Sequence, residues 1–331
     1  MDRNTNRSET GLSGTDIASQ PSGPVFIVGS YRSGTSIFCW CLGQHPNFVN
    51  LPETNWLARL TVDMQNLYRL ATINGRVSHL GQTGISVDEF YRLFGEGVDH
   101  LIRTTNPILI RKTEVAPKGE LRRRRSPADP KQRWADATPE NSQYVYPLMK
   151  LFPEAKFIHL LRNPHDVTRS LMKFSNVGIR RDYGHDEAYH NWIRLTTAAH
   201  NGEVALGPKH MIRLLYEDFI SQPEQALRRV CEFLDEPYSA DCILPLKQKI
   251  NSSEVEYEKV RLKATATSRE AERLYRSILE EAPVAEIGNS QRYCDIENAF
   301  LEYCRIEHAP PVQQLRTGLI RRISRLWTKA G

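Results

Sequence analysis

Residues 25–54 read VFIVGSYRSGTSIFCWCLGQHPNFVNLPET, and the class of fold is decided there. Val25-Phe26-Ile27-Val28 is a short continuous apolar run, the mark of a strand buried on both faces. It breaks into Gly29-Ser30-Tyr31-Arg32-Ser33-Gly34-Thr35-Ser36. An apolar segment, Ile37 to Leu42, follows and is closed by Gly43 and His45-Pro46, where Gly and Pro read as a helix stop. The order is strand, glycine-containing loop, helix. Further apolar runs predict strands at Ile108–Ile110, Phe157–Leu161 and Met211–Leu215. Helical patterns lie between them at 142–151, 164–174, 185–201 and 223–234, with Pro164 well placed in a first turn. Strands alternating with helices predict an α/β fold of three layers. Its central sheet is mostly parallel, with helices on both faces.

The length allows one large α/β domain or two small ones. The chain has 331 residues, 40% hydrophobic and 25% charged, which gives a real core and excludes a disordered, collagen-like or disulfide-scaffold protein. A net charge of +5 over this length does not argue for nucleic acid. Arg outnumbers Lys 32 to 12, and Arg is the side chain whose donor fork grips planar oxyanions. The six cysteines (39, 41, 231, 242, 294, 304) form no CxxC pair and read as small buried hydrophobes with free thiols. No run approaches the ~20 apolar residues of a membrane span. The polar start lacks the apolar region of a secretion signal, so a cytoplasmic location is expected. Residues 1–23 are expected to be a flexible tail and 24–310 the folded domain. Residues 117–133, PKGELRRRRSPADPKQR, read as a basic insertion: a solvated loop, or a surface for an anionic partner. In 311–331, Leu319, Ile320, Ile323, Leu326 and Trp327 recur at helical spacing among Arg316, Arg321, Arg322, Arg325 and Lys329. That predicts a basic amphipathic helix, docked on the domain or laid peripherally on a membrane surface.

The chemistry starts in the loop. Backbone N–H groups there and at the following helix N-terminus converge with the helix dipole, which makes an anion site. Gly29 and Gly34 have the spacing of a Walker A loop. A nucleotide-hydrolysing loop next needs Lys and then Ser or Thr for phosphate and Mg²⁺, but position 35 is Thr and the loop's only cation is Arg32. An anion with fewer charges than a magnesium triphosphate suits it better. At the run Phe157–Leu161, the strand ends in Arg162-Asn163-Pro164. Arg162 is thereby put at the carboxyl edge of the sheet, where ligands bind in open α/β folds. Ser170 lies about two turns along the next helix. A guanidinium and a hydroxyl there can clamp a phosphate dianion; alternatively Arg162 pairs with Asp166 or Asp218. Tyr216 opens the loop after the last strand, its ring either covering a purine or packed at the edge.

Three blocks resemble the sulfotransferases that use 3′-phosphoadenylyl sulfate (PAPS). Residues 25–54, with Arg-Ser-Gly-Thr-Ser between the strand and an HP-terminated helix, resemble that family's 5′-phosphosulfate segment. FPEAKFIHLLRNPHDVTRSL (152–171) resembles its 3′-phosphate segment, and YEDFISQPEQALRRVCEFLDEPYS (216–239) its YEDL…P…FL segment. They occur in family order and span most of residues 24–240.

The resemblance implies a P-loop, nucleotide-kinase-like fold and transfer of a sulfuryl group from PAPS to a hydroxyl. It implies that Arg32, Ser33, Gly34, Thr35 and Ser36 hold the 5′-phosphate, Arg162 and Ser170 the 3′-phosphate, and Tyr216 the adenosine. Arg32 would also stabilise charge as the sulfate leaves. Glu53, in an ET pair after His45-Pro46, is implied as the base, with His45 as its rival. Sulfuryl transfer needs in-line geometry, charge stabilisation and a base. The sulfuryl group carries less charge than a phosphoryl group, so no metal is expected.

Two departures stand out. Relatives carry Lys before the Thr-Pro of the central block, whereas this chain has Ala137 before Thr138-Pro139. Either Lys150, Lys112 or Arg111 replaces it, or the site relies on Arg32 alone. The adenosine-binding loop is represented only by 260–268. The acceptor is open among a carbohydrate, a lipid-linked saccharide, a small metabolite and a tyrosine. Trp56, Tyr68, Phe90, Tyr91 and Phe94 within 55–135 are expected to shape its pocket or to pack a helical core. A P-loop kinase and an inactive nucleotide-binding relative are the competing functions. The sequence is silent on oligomeric state.

Overall fold

The computed structural model describes residues 23–114, 133–174, 182–247, 260–281 and 288–306. Apart from Gly23 and Arg133, the expected tail, the basic insertion and the C-terminal helix lie outside the described residues.

Five parallel strands form one sheet in the order β2-β3-β1-β4-β5. They are β1 (Val25–Val28), β2 (Phe48–Asn50), β3 (Arg133–Asp136), β4 (Lys156–Leu161) and β5 (Met211–Leu215). β1 is central, with Val25 opposite Ala135 on one side and Lys156 on the other. Its side chains alternate between two cores, as period 2 demands. Phe26 and Val28 pack under α2 (Asn55–Thr72), α4 (Val87–Glu114), α5 (Val145–Leu151) and α7 (His185–Leu206). Val25 and Ile27 pack under α1 (Thr35–Leu42) and α9 (Pro223–Phe233) on the other face. Burying each such side chain stabilises the fold by about 1.5–3 kcal/mol, so a polar residue at Phe26 or Ile27 would break the layer. The three-layer architecture is therefore present. The remaining helices are α3 (His79–Thr83), α6 (Pro164–Leu171), α8 (Tyr216–Ser221), α10 (Ala266–Glu280) and α11 (290–306).

Some expectations are corrected. Ile108–Ile110 is not a strand but part of the long helix α4. The sheet is completed instead by β2 and β3. Arg133 at the start of β3 is 2% exposed. Its guanidinium donates to the Gly23 carbonyl at 3.0 Å and the Leu234 carbonyl at 2.7 Å, and pairs with Glu236. Tyr216 does not open a loop; it is the first residue of α8. Five cysteines are buried as free thiols, but Cys294 is exposed. No helix among the described residues is long and apolar enough to cross a membrane.

A buried ionic cluster ties β4, β5, α7 and α10 together. Glu203 accepts from Arg213 at 3.0 Å and contacts His159 at 3.1 Å, while His200 reaches Glu281 at 2.9 Å. Burial opposes the Glu203 charge, but His159, His200 and Arg213 outweigh it and hold the carboxyl well below its usual range. Burial also keeps His159 below its ordinary 6.5, with Glu203 opposing. Both shifts have the same sign in stability. As pH falls below about 6.5, the unfolded chain takes up protons that the native His159 refuses, and below about 4.5 the same holds for Glu203. Stability should therefore fall on acidification from pH 7 to 4. Glu203→Gln should lose about 3 kcal/mol at pH 7 and flatten the slope below pH 4.5, as urea melts across that range would record.

Candidate active site

The loop after β1 sits at the point where the chain leaves the sheet centre in both directions, the usual ligand position of such folds. Its geometry is demanding. Gly34 has φ +91°, and a Cβ there would lie 2.5 Å from the Tyr216 ring. Arg32 also has a positive φ, 62°, unusual for a residue with a side chain. Its carbonyl is held by Arg162, whose Nη1 donates to it at 2.8 Å. Helix α1 then begins without a side-chain cap, so its first N–H groups face the loop. The Ser33 N–H closes a turn onto the Ser30 carbonyl at 3.2 Å, which leaves Gly34, Thr35 and Ser36 as the backbone donors.

Arg32, Arg162, Ser170 and Tyr216 are brought together. Arg32 Nε donates to Ser170 Oγ at 2.9 Å. Arg162 lies over the Tyr216 ring, 4.1 Å from its centroid. Arg162 meets neither Asp166 nor Asp218 among the described residues; Asp166 pairs with Arg169 at 2.9 Å. Two polar atoms of this cluster are buried without hydrogen-bond partners, Ser33 Oγ and Arg162 Nε. Such orphaned donors are what an anionic ligand would satisfy. The two ends separated by the sequence argument are thus linked through Arg32.

Glu53 is exposed at the entry to α2. The next residue fixes it. Thr54 N–H donates to Thr138 Oγ1 at 2.7 Å, and the Thr54 hydroxyl donates to Asp136. Asp136, fully buried at the end of β3, also accepts from Thr138 N–H at 2.9 Å and Asn141 Nδ2 at 2.8 Å. Burial pushes its carboxyl above the ordinary range, against these donors. Asp136→Ala would strand several buried donors at once. It should cost about 3 kcal/mol in a urea melt and slow any reaction that needs Glu53 in register.

His45 is not brought to the site as a base. It is buried, with Nε2 on the Pro237 carbonyl at 2.7 Å and Nδ1 accepting from Asn47 N–H at 3.1 Å. Ala137 is buried, and Lys150 is held by Asp88 at 2.5 Å. Arg111 and Lys112 fall in the last turn of α4. Of the acceptor-region aromatics, Phe90 and Tyr91 are core residues and Tyr68 packs against them, whereas Trp56 is 46% exposed close to Glu53. The stretch 260–268 leads into α10. Lys263 N–H donates to His185 at 3.1 Å, and Leu262 shares a cluster with Tyr31.

Sequence reasoning missed three polar residues of the 3₁₀ turn Pro139–Tyr144. Ser142 Oγ accepts from the Gly29 N–H at 2.9 Å and so buttresses the loop. Glu140 accepts from the Tyr31 hydroxyl, and its second carboxylate oxygen is buried without a partner. Burial, then Glu140, push the Tyr31 phenol far above its ordinary value, so it stays a donor. Asn141 completes the Asp136 network. The signal was available: polar residues directly after a strand, on the carboxyl edge.

The chain is 27% identical over 128 residues to the omega-hydroxy-beta-dihydromenaquinone-9 sulfotransferase Stf3 of Mycobacterium tuberculosis, covering 36% of this chain and 33% of that protein. It is 23% identical over 229 residues to the protein-tyrosine sulfotransferase of Drosophila melanogaster, covering 69% of this chain and 40% of that one. The chain thus spans about a third of the length of the first curated relatives it matches. Among solved structures, the sulfotransferase domain of the Synechococcus PCC 7002 olefin synthase aligns with a TM-score of 0.48 at 18% identity, over 80% of this chain and 96% of that one. The sequence profile described as the sulfotransferase family matches residues 24–240 of the 331, and the chain belongs to that family.

Proposed function

We propose that the chain moves the sulfuryl group of PAPS to a hydroxyl acceptor by in-line displacement. The observation that carries this reading is the linked pair of guanidinium groups at the sheet's carboxyl edge. Arg32 and Arg162 are joined through the Arg32 carbonyl, with buried Ser33 Oγ and Arg162 Nε lacking partners. An adenosine with phosphates at both 5′ and 3′ positions asks for two cations close together, and these residues fit it.

When bound, the donor supplies a sulfuryl group on a phosphate leaving group; the other demands fall on this chain's own residues. Arg32 spends Nε on Ser170, and its terminal nitrogens have no partner among the described residues, so they are available to a phosphate oxygen. With the N–H groups of Gly34, Thr35 and Ser36, Arg32 would hold the 5′-phosphate and the charge that grows there. Arg162 and the Ser170 hydroxyl would take the 3′-phosphate. Tyr216 supports the Arg162 guanidinium through its ring face. Glu53, held in register by Thr54, would accept the proton of the incoming hydroxyl.

The named relatives act on a hydroxylated menaquinone derivative and on protein tyrosine. A hydroxyl acceptor is carried to this chain on that likeness, as a carbohydrate, lipid-linked saccharide, small metabolite or tyrosine.

Thermal melting tests the reading. Adenosine 3′,5′-bisphosphate at about 100 times its Kd should stabilise the chain by about 2.7 kcal/mol without magnesium. Radiolabelled PAPS should then transfer label to an acceptor in a cell lysate. Stabilisation by magnesium–ATP alone would identify a kinase instead. Bisphosphate binding with no transfer to any acceptor would leave an inactive relative.

A further inference from the structure

Arg32 carries the cation of the donor loop on a strained backbone, with φ 62°. A residue with a side chain keeps such a conformation only where its surroundings over-determine it. The peptide after Arg32 is held, because its carbonyl accepts from Arg162 Nη1 at 2.8 Å. The peptide before it is held too. The Tyr31 carbonyl accepts from Ser30 Oγ at 3.2 Å, and the Tyr31 hydroxyl donates to Glu140, 109 positions along the chain.

Glu140 is itself fixed. It belongs to the turn Pro139–Tyr144, which is pinned on both sides of it. Asn141 Nδ2 donates to the buried Asp136 at 2.8 Å, and the Ser142 hydroxyl donates to the Pro139 carbonyl at 2.7 Å. The turn therefore reaches the donor loop twice, at Gly29 through Ser142 and at Tyr31 through Glu140. The second carboxylate oxygen of Glu140 is buried without a hydrogen-bond partner. A carboxylate left half satisfied adds little to stability, so the fold alone gives no reason for an acid at this position. Its hold on the residue before Arg32 does.

We propose that Glu140 is a positioning residue for the transfer: through the Tyr31 hydroxyl it keeps Arg32 in the conformation that presents its guanidinium to the 5′-phosphate of the donor. This rests on the sulfotransferase reading and adds to it a group that acts on the chemistry only through another residue.

The test is calorimetry on the full chain with two nucleotides, adenosine 3′,5′-bisphosphate and adenosine 3′-phosphate. They differ only in the 5′-phosphate that Arg32 would hold. Glu140→Ala and Tyr31→Phe should each weaken the bisphosphate about tenfold, as expected if Arg32 keeps the competent conformation in about a tenth of the molecules. Each should weaken the 3′-phosphate less than twofold, which also shows that the variant is folded. Tyr31→Phe, which removes a single hydroxyl, decides the matter if Glu140→Ala does not fold. Glu140→Gln keeps an oxygen for the Tyr31 hydroxyl and should recover most of the lost affinity. In an Arg32→Ala background, Glu140→Ala should add less than twofold, because its effect runs through Arg32. Wild-type affinity for the bisphosphate in Glu140→Ala and Tyr31→Phe overturns the proposal. So does an equal loss of both nucleotides, the mark of a merely structural residue, and so does a loss in Glu140→Gln as large as in Glu140→Ala. If the wild-type chain binds neither nucleotide and transfers no label from radiolabelled PAPS, the sulfotransferase reading falls and this proposal with it. If it does both while Glu140→Ala and Tyr31→Phe match it, only the positioning role falls.

Discussion

Glu53→Gln should slow turnover by about 100- to 1,000-fold, the usual weight of a general base, and leave the melting shift with adenosine 3′,5′-bisphosphate unchanged. The substitution keeps the side chain's shape and removes its proton-accepting oxygen. The case for Glu53 is its exposure at the carboxyl edge, set against the burial of its neighbours. Asp136 is fully buried and surrounded by donors from Thr54, Thr138 and Asn141. Glu140 has one oxygen on Tyr31 and the other sealed from solvent. His45 has both ring nitrogens engaged. Glu53 alone of these four lies exposed at the carboxyl edge, where an acceptor can arrive. Steady-state rates and bisphosphate melting on the same preparation decide the matter. Unchanged turnover removes Glu53 from the mechanism. Glu140→Gln is the matched control: a 100-fold loss there, with Glu53→Gln near wild type, would move the base to the turn Pro139–Tyr144 after β3.

The parts of the fold legible in the sequence are those whose burial needs no distant partner. VFIV, FIHLL and MIRLL are apolar runs, and each is a strand. RWAD is also a strand, but hydropathy hides it because half its residues are charged. Arg133 is buried only because Gly23, Leu234 and Glu236 come to it from far along the chain. Asp136 is buried only because Thr54 comes to it across 82 positions and Asn141 turns back from five residues on. β2 has three residues, too few for any period to register. Ile108-Leu109-Ile110 misleads for the opposite reason: a short apolar run fits a strand or a helix equally, and a helix already running from Val87 settles it. The site follows the same division. Arg32, Arg162 and Ser170 declare themselves by position after a strand or along a helix. Ser142 and Glu140 matter because the turn after β3 crosses above β1, which only the topology of the sheet dictates.

Arg162→Ala should weaken adenosine 3′,5′-bisphosphate by about 100-fold in calorimetry, near 2.7 kcal/mol. A hydrogen bond to a charged group contributes about 1.5–3 kcal/mol, and Arg162 is positioned for more than one. Its Nη1 is spent on the Arg32 carbonyl, its Nε is buried and unpartnered, and the guanidinium rests on the Tyr216 ring. Removing it therefore takes away a phosphate donor and also the clamp on a residue with φ 62°. Arg32 would then be free to leave that conformation, which costs of order 1 kcal/mol to hold. Two variants separate these effects. Arg162→Lys keeps the charge but loses the planar fork, and should recover less than half of the lost binding energy. Tyr216→Leu keeps both arginines and removes only the ring beneath one of them, so it should weaken the bisphosphate by about tenfold or less, within the range of an exposed or partly buried cation–π contact. Full recovery by lysine would mean that charge alone is read at this position. Unaltered binding in Arg162→Ala would mean that the 3′-phosphate lies elsewhere, and that the Arg32–Arg162 linkage serves the loop and not the nucleotide.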